Sequence, residues 1–167
     1  MDFRGVIVGP GLVRITSNQA PAYEIGEHVI VSIERGRSMA SHRHQFAWMN
    51  DAWLTLPEEH RSQPWAETAE TMRKHALIAT GFHQTYTLDC GGSATAQRVK
   101  MALVSAEAKS HGYAIGQVRG PVVTIWTPKS QSIRAMGSEE FNRSKQAVLD
   151  WVADKLGVKP EEMLNAQ

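Results

Sequence analysis

Four stretches of the sequence repeat apolar residues at helical spacing, and they constrain the fold more than any other feature. The first predicted helix begins beyond Ser41 and stops at Pro57, because proline disfavours a helical conformation in the residue before it. Its expected apolar face consists of Phe46, Met49, Trp53 and Leu56. The other three helices are predicted at 64–80, 93–110 and 138–156.

The second and fourth predicted helices carry clear start and stop signals. Pro64 is well placed as the first residue of the second helix, and Gly81 ends it. The spacing predicts a buried face made of Trp65, Ala69, Met72, Ala76 and Ala79, with Glu70, Arg73 and Lys74 on the other side. In the fourth helix Ser138 is the expected N-cap and Gly157 the expected terminator.

Short β-branched and alternating runs predict the strands. Residues 3–8 and 12–16 are expected to form a hairpin or two short strands around the Gly9-Pro10-Gly11 turn, and 28–34 alternates like a half-buried strand. A short strand is predicted at 82–90 and a central strand at 122–127. The predicted fold class is therefore α+β, with a small mixed sheet of short strands packed with about four helices in a single domain spanning 1–167.

Composition restricts the cellular location of the protein and the kinds of binding site that it can have. The net charge is only +1, so any basic groove has to be local. No apolar run approaches the ~18 residues that a membrane-spanning helix needs, and the N-terminal apolar run is too short for a signal peptide. We therefore expect a cytoplasmic protein without membrane association. The single cysteine, Cys90, excludes an internal disulfide and a cysteine-rich zinc site.

A basic corner leads into the first predicted helix. It contains Arg35, Arg37, Ser38, Arg43 and His44, and Trp48 follows on the helix. Guanidinium groups grip phosphate with paired hydrogen bonds, while tryptophan and histidine rings can stack on unpaired bases. By helical phase, Trp48 is expected beside the apolar face and directed towards this corner. A core helix behind a solvated turn would account for the same residue types.

Two segments resemble the phage NinB (Orf) family of recombination proteins. The first is a strand, the R-x-R-S turn at 35–38 and the helix segment F-A-W-M-N-D-A-W. The second is the strand at 122–126, a serine-rich turn with Arg134 and the G-S-E-E-F helix start at 137–141. Together they cover about half of the chain, and 82–120 has no counterpart. The H-R-x-x-F-A pattern at 42–47 is also similar to a second group of small phage proteins.

The resemblance implies a phage or prophage DNA-binding accessory protein of recombination or replication that binds single-stranded DNA without catalysis. It also implies a homodimer that works with the host single-strand-binding protein, and the surplus of apolar helix faces favours a dimer as well. The residues expected to bind nucleic acid are Arg35, Arg37, Ser38, Arg43, His44, Trp48, Lys129 and Arg134. Arg35 and Arg37 would hold phosphates, and Trp48 or His44 would stack on a base. No cofactor is expected.

Two alternatives stay open. His42 and His44 have the H-x-H spacing of some metal sites, so the first alternative is a metal-dependent nuclease that uses them with an acidic residue. The further ligands available, Asp51, His60 and His83, lie on separate predicted elements, and no metal is predicted. The second alternative is a phage structural or protein-binding module. The sequence contains no G-x-S-x-G elbow, Walker loop or H-E-x-x-H helix, so an enzyme is not predicted.

Overall fold

The computed structural model describes residues 5–10, 12–15, 39–132 and 135–160. The chain divides into two compact units, residues 1–34 and residues 35–167. The strand predicted at 28–34 lies outside the described residues. The single-domain organisation of the whole chain stays a prediction.

The first unit contains a β-hairpin. Strand β1 (Gly5–Gly9) pairs antiparallel with strand β2 (Leu12–Ile15). Pro10 lies in the turn between them, where proline and glycine favour a change of direction. Over the described residues the predicted hairpin is therefore confirmed.

Within the described residues, the second unit consists of five α-helices and a three-stranded sheet. The helices are α1 (Met39–Leu54), α2 (Glu58–Arg61), α3 (Ala69–Ala79), α4 (Ser93–His111) and α5 (Ser138–Leu156). Four of them correspond to predicted helices, and α2 lies between the first two predicted helices. None of these described helices has the length and hydropathy that crossing a membrane requires.

The sheet is formed by β3 (His83–Asp89), β4 (Ile115–Arg119) and β5 (Val122–Pro128), in the order β3-β5-β4. Strand β5 is central, as its β-branched composition predicts. Both described pairings are antiparallel, so this sheet is antiparallel rather than mixed. Helix α4 connects β3 to β4 and packs against Val123 and Ile125. The predicted α+β class is confirmed.

The main core lies where α1, α3 and α5 pack together. It includes Trp48, Met49, Leu56, Met72, Leu77, Val148 and Val152. Helix α5 buries Phe141, Val148 and Val152. Ala79 is exposed at the end of α3, so its predicted burial is wrong.

The helix predicted at 64–80 is interrupted at Thr68. Pro64–Ala66 forms a 3-10 turn, and α3 begins only at Ala69. The Thr71 N–H donates to Thr68 Oγ1 at 3.0 Å, and the Thr68 N–H donates to Thr71 Oγ1 at 2.8 Å. This reciprocal capping box satisfies N–H groups that a helix start leaves without partners, so it stabilises a new beginning. Trp65 reaches the core from the 3-10 turn rather than from a helix.

The ends of α5 follow the predicted signals closely. The N-cap is Gly137, and Ser138, the predicted cap, is instead the first helical residue. Glu139 and Glu140 lie in the first turn, where negative charge complements the helix dipole. Gly157 ends the helix in the left-handed conformation with φ 66°, which glycine adopts at little cost.

Candidate functional site

The residues predicted to bind nucleic acid fall into three groups. Arg35, Arg37, Ser38 and Arg134 lie outside the described residues. Arg43 and His44 lie on α1, but their side chains are outside the described part of the chain. The remaining two, Trp48 and Lys129, have opposite environments: Trp48 is in the core, and Lys129 lines a groove.

The prediction that Trp48 faces the basic corner is wrong. Trp48 is 2% exposed and packs in the main core. Phe46, predicted to be buried, is 40% exposed instead. Helix α1 is therefore rotated relative to the predicted phase, so that Gln45, Trp48, Met49 and Ala52 are all buried. Trp48 offers no ring surface for a base in this conformation.

A groove of about 390 Å³ opens at the end of the sheet, where β5 leads into residues 129–132. Its walls come from α1, α3, the last turn of α4 and the segment that follows β5. Its polar lining includes Glu70, Arg73, Lys74, His111, Lys129 and Gln131. Lys129 is the predicted site residue that this groove contains.

Arg73 is the most buried cation of the groove lining, at 7% exposed. Its Nε and Nη2 atoms donate to the two carboxylate oxygens of Glu70, at 2.8 and 2.7 Å. Its Nη1 atom donates to Oε1 of Gln131, and its guanidinium carbon lies 5.1 Å from the centre of the Phe46 ring. The sequence predicts Arg73 on the non-core side of its helix; the buried position reflects these partners, which fix the planar guanidinium in the groove wall.

Lys74 lies on the same wall, next to Gly112. The Nζ atom of Lys74 is 3.3 Å from Oε1 of Glu70. A Cβ atom on Gly112 would collide with that same Nζ, and Gly112 has a left-handed φ of 75° that disfavours any side chain. The left-handed φ accounts for glycine at this position, because the flexible Lys74 side chain can move away from an added Cβ atom.

The groove carries more positive than negative charge. Arg73, Lys74 and Lys129 are cationic, and Glu70 opposes them within the described lining. Burial alone would raise the pKa of Glu70, but the hydrogen bonds and charge of Arg73, with help from Lys74, hold that pKa below its usual value. Glu70 therefore stays ionised. The excess of cations suits an anionic ligand with several oxygen acceptors, such as a phosphate group.

Two further contacts with carboxylates lie at the rim. The Nζ atom of Lys129 is 2.8 Å from Oε1 of Glu140, and Nε2 of His111 is 3.3 Å from Oε2 of Glu107. The Lys129 side chain is 42% exposed, so water screens its pair with Glu140. An anion arriving from solvent can therefore compete with the carboxylate for the Lys129 ammonium group.

A buried polar network adjoins Arg73. The Gln131 Nε2 donates to Oγ of Ser144 on α5 at 2.7 Å, and Gln45 Nε2 on α1 lies 3.5 Å from Gln131 Oε1. Because buried polar groups need hydrogen-bond partners, this contact explains why Gln45 faces inwards. Among the described residues, Oε1 of Gln45 and Nε1 of Trp48 are buried without a hydrogen-bond partner.

The described residues bring together no group of three or more histidine, cysteine, aspartate or glutamate side chains that could hold a metal ion. His83, one of the ligands considered from the sequence, instead places Nδ1 2.8 Å from the carbonyl oxygen of Ile78. The side chains of His42 and His44 lie outside the described part. The metal-dependent alternative therefore stays a hypothesis.

Sequence reasoning missed four lining residues, Arg73, Lys74, His111 and Gln131. The spacing of Glu70 to Arg73 and Lys74 indicates ion pairs along one helix, and the structure contains them. No local pattern connects that helix to residues 129–132, because the contact between them is tertiary.

A separate histidine, His75 on α3, is enclosed by aromatic rings. Its ring centre lies 5.7 Å from that of Trp65, 5.4 Å from that of Trp151 and 5.7 Å from that of Tyr113. Its Nδ1 is 2.9 Å from the Tyr113 hydroxyl oxygen. Burial lowers the pKa of His75, and the nearby charge of Lys155 lowers it further. His75 is therefore neutral at pH 7.

Acidification is expected to destabilise the protein through His75. The unfolded-state pKa is near the ordinary value of 6.5 and the folded-state pKa is lower, so the unfolded state takes up the proton first. Stability is then lost as the pH falls from that value through the folded-state pKa. Urea denaturation at pH values of about 7.5 and about 5 should show a smaller loss for His75→Phe than for the wild type.

Tyr113→Phe is the control for this experiment, because it removes the hydroxyl group beside Nδ1 but keeps the titrating imidazole. Its stability should fall with pH as steeply as that of the wild type. An equal loss in His75→Phe and wild type would show that other groups cause the acid sensitivity.

In comparisons with known proteins, no family model, no curated protein and no solved structure matches this chain. The likeness to the NinB family therefore stays a prediction. The functional argument rests on the chemistry of the groove.

Proposed function

We propose that this chain is a non-catalytic accessory protein of phage recombination or replication that binds single-stranded DNA through the groove. The observation that carries the proposal is the convergence of Arg73, Lys74 and Lys129 beside the exposed ring of Phe46. Cations of this kind hold phosphates, and a partly exposed aromatic side chain beside them adds apolar contact area for an unpaired base. A preference for single strands follows, since the bases of a duplex are already stacked.

Lys74 and Lys129 are the residues that would bind phosphate directly. Each ammonium group is paired with one carboxylate, that of Glu70 or that of Glu140. Exposed ion pairs contribute only ~0–1 kcal/mol, so exchanging the Glu140 carboxylate for a phosphate costs little. Arg73 is held by Glu70 and Gln131 and instead keeps a fixed positive charge in the groove wall.

The residues predicted from the basic corner extend this surface in the proposal. Arg43 and His44 lie on α1 within one turn of Phe46, and Arg134 follows the groove segment 129–132 in sequence. Arg35 and Arg37 precede α1 in the chain and would contact further phosphates. The homodimer and the partnership with the host single-strand-binding protein come from the resemblance and belong to the same proposal.

The proposal is tested by fluorescence-anisotropy titration with labelled single- and double-stranded oligonucleotides at two salt concentrations, with and without chelator. The wild type should prefer the single strand, and its affinity should fall as salt rises. Lys74→Ala/Lys129→Ala should weaken binding and reduce the slope of log affinity against log salt by ~0.7 for each phosphate that the variant no longer neutralises. Chelator should change nothing.

Lys100→Ala/Lys155→Ala is the matched control, because it removes the same charge from lysines that do not line the groove. It should retain most of the affinity and the salt slope. Equal weakening of the two double variants would contradict a local site. Cleavage of the oligonucleotide that stops on adding chelator would favour the metal-dependent nuclease instead.

A further inference from the structure

Among the described elements, helix α4 covers one face of the three-stranded sheet, and we call the other face the open face. Helix α4 covers the side to which Val123 and Ile125 point. On the opposite side, strand register places Trp126 between Thr85 and Ile115, and Thr124 between Thr87 and Gln117. All six of these residues are exposed or half-buried. The open side is therefore accessible along the central strand as well as at the edges.

Trp126 is the aromatic residue of this open face. It is half-buried, as expected for a central-strand residue that has neighbouring strands on both sides. Thr85 on β3 and Ile115 on β4 flank it. The part of the chain that the structure describes gives its indole no hydrogen bond and no ring contact. A flat ligand could therefore reach it.

Trp126 also lies close to the groove. Pro128 and Lys129 line the groove, and the three steps along the chain from Trp126 to Lys129 span at most about 11 Å between their Cα atoms. The charged residues of the open face, Asp89 and Arg119, flank Val122 at the other end of β5. An uncharged aromatic end beside a cationic groove complements a polymer with an anionic backbone and flat, neutral bases.

We propose that the open sheet face is a second contact surface for single-stranded nucleic acid, on which Trp126 stacks against an unpaired base. This assignment rests on the proposed function of the groove, and it supplies the base contact that the buried Trp48 cannot make. Thr85 and Gln117 provide hydrogen-bonding groups on the same face. Because every base has a flat face to stack, this surface would bind strands with little sequence preference.

The test compares Trp126→Ala with Tyr86→Ala in anisotropy titrations. Tyr86 is a matched control: it is an exposed aromatic residue of the same sheet, but its hydroxyl donates to Glu107 on the α4 side. Each protein is titrated with labelled oligothymidylate and with an abasic oligomer of equal length, which keeps the phosphates and lacks the bases. Trp126→Ala should weaken oligothymidylate binding ~5- to 150-fold, the effect of removing one stacked base, and leave abasic binding unchanged.

Tyr86→Ala should bind both oligomers like the wild type. If Trp126→Ala fails to fold, Trp126→Leu keeps the apolar packing, removes the ring and carries the same expectation. The stacking surface is overturned if both Trp126 variants bind oligothymidylate as tightly as the wild type. The proposed function still stands in that case, provided that Lys74→Ala/Lys129→Ala weakens binding.

Two other outcomes also overturn the inference. Failure of the wild type to bind either oligomer overturns the stacking surface together with the proposed function. An equal loss of affinity for both oligomers, or a changed mass of Trp126→Ala in light scattering, would assign the open face to packing or to contact between copies of the chain.

Discussion

Trp48→Ala is expected to lower the free energy of unfolding by ~3–5 kcal/mol. The reason is burial: Trp48 is 2% exposed and packs in the main core with Met49, Ala52 and Leu149. Truncation removes a large apolar surface and leaves a cavity that the packed helices α1, α3 and α5 can close only in part. Urea denaturation followed by far-UV circular dichroism measures the loss.

Phe46→Ala is the control, because Phe46 lies on the same helix two residues earlier and is 40% exposed. Its loss should be ~1 kcal/mol, mainly the interaction of its ring with the Arg73 guanidinium. If Trp48→Ala were as stable as the wild type but bound oligonucleotide more weakly, Trp48 would have to be an exposed residue that stacks on a base. Weaker binding in Phe46→Ala at nearly unchanged stability would support the groove.

Arg73→Met should be the second large effect, with a loss of about 3 kcal/mol in the free energy of unfolding. Methionine keeps most of the volume, so the loss reports the polar partners. Glu70 would lose its main cationic partner, and Gln131 would lose its charged hydrogen-bond donor. The expected value is at the low end for a broken buried ion pair because the Glu70 side chain is 46% exposed and can turn towards water.

A double-mutant cycle separates the ion pair from the hydrogen bond to Gln131. Glu70→Gln in the Arg73→Met background should cost less than Glu70→Gln alone, since the cation is already gone. Arg98→Met, on the exposed side of α4, should change stability by less than ~0.5 kcal/mol. If Arg73→Met were as stable as Arg98→Met, the buried network could not be a significant source of stability.

Local signals predict most of the secondary structure of this chain. Gly112 and Gly157 end α4 and α5 because a left-handed terminus favours glycine, and the β-branched run at 122–127 forms the central strand. The start of α3 is the exception. In the sequence the apolar spacing continues through Thr68, so it predicts one uninterrupted helix. The spacing does not reveal that Thr68 forms a capping box with Thr71 and thereby starts a new helix.

The rotation of α1 and the groove depend on contacts between distant residues. The sequence pattern of α1 allows either Phe46 or Trp48 to face the core, and the contact of Gln45 with Gln131, 86 residues away, favours Trp48. Lys129 could be predicted from its local basic segment. Arg73 belongs to a different element, so its place in the same groove could not be predicted without the tertiary structure.

Because Gln131 contacts residues on three helices, the effects of substitutions on those helices depend on one another. Its carboxamide meets Gln45 on α1, Arg73 on α3 and Ser144 on α5. A buried polar group that loses its partner costs ~1–3 kcal/mol, so a change at one of these four positions penalises the others. Replacing the whole set with apolar side chains of similar shape avoids that penalty. In evolving relatives the four positions should therefore change together.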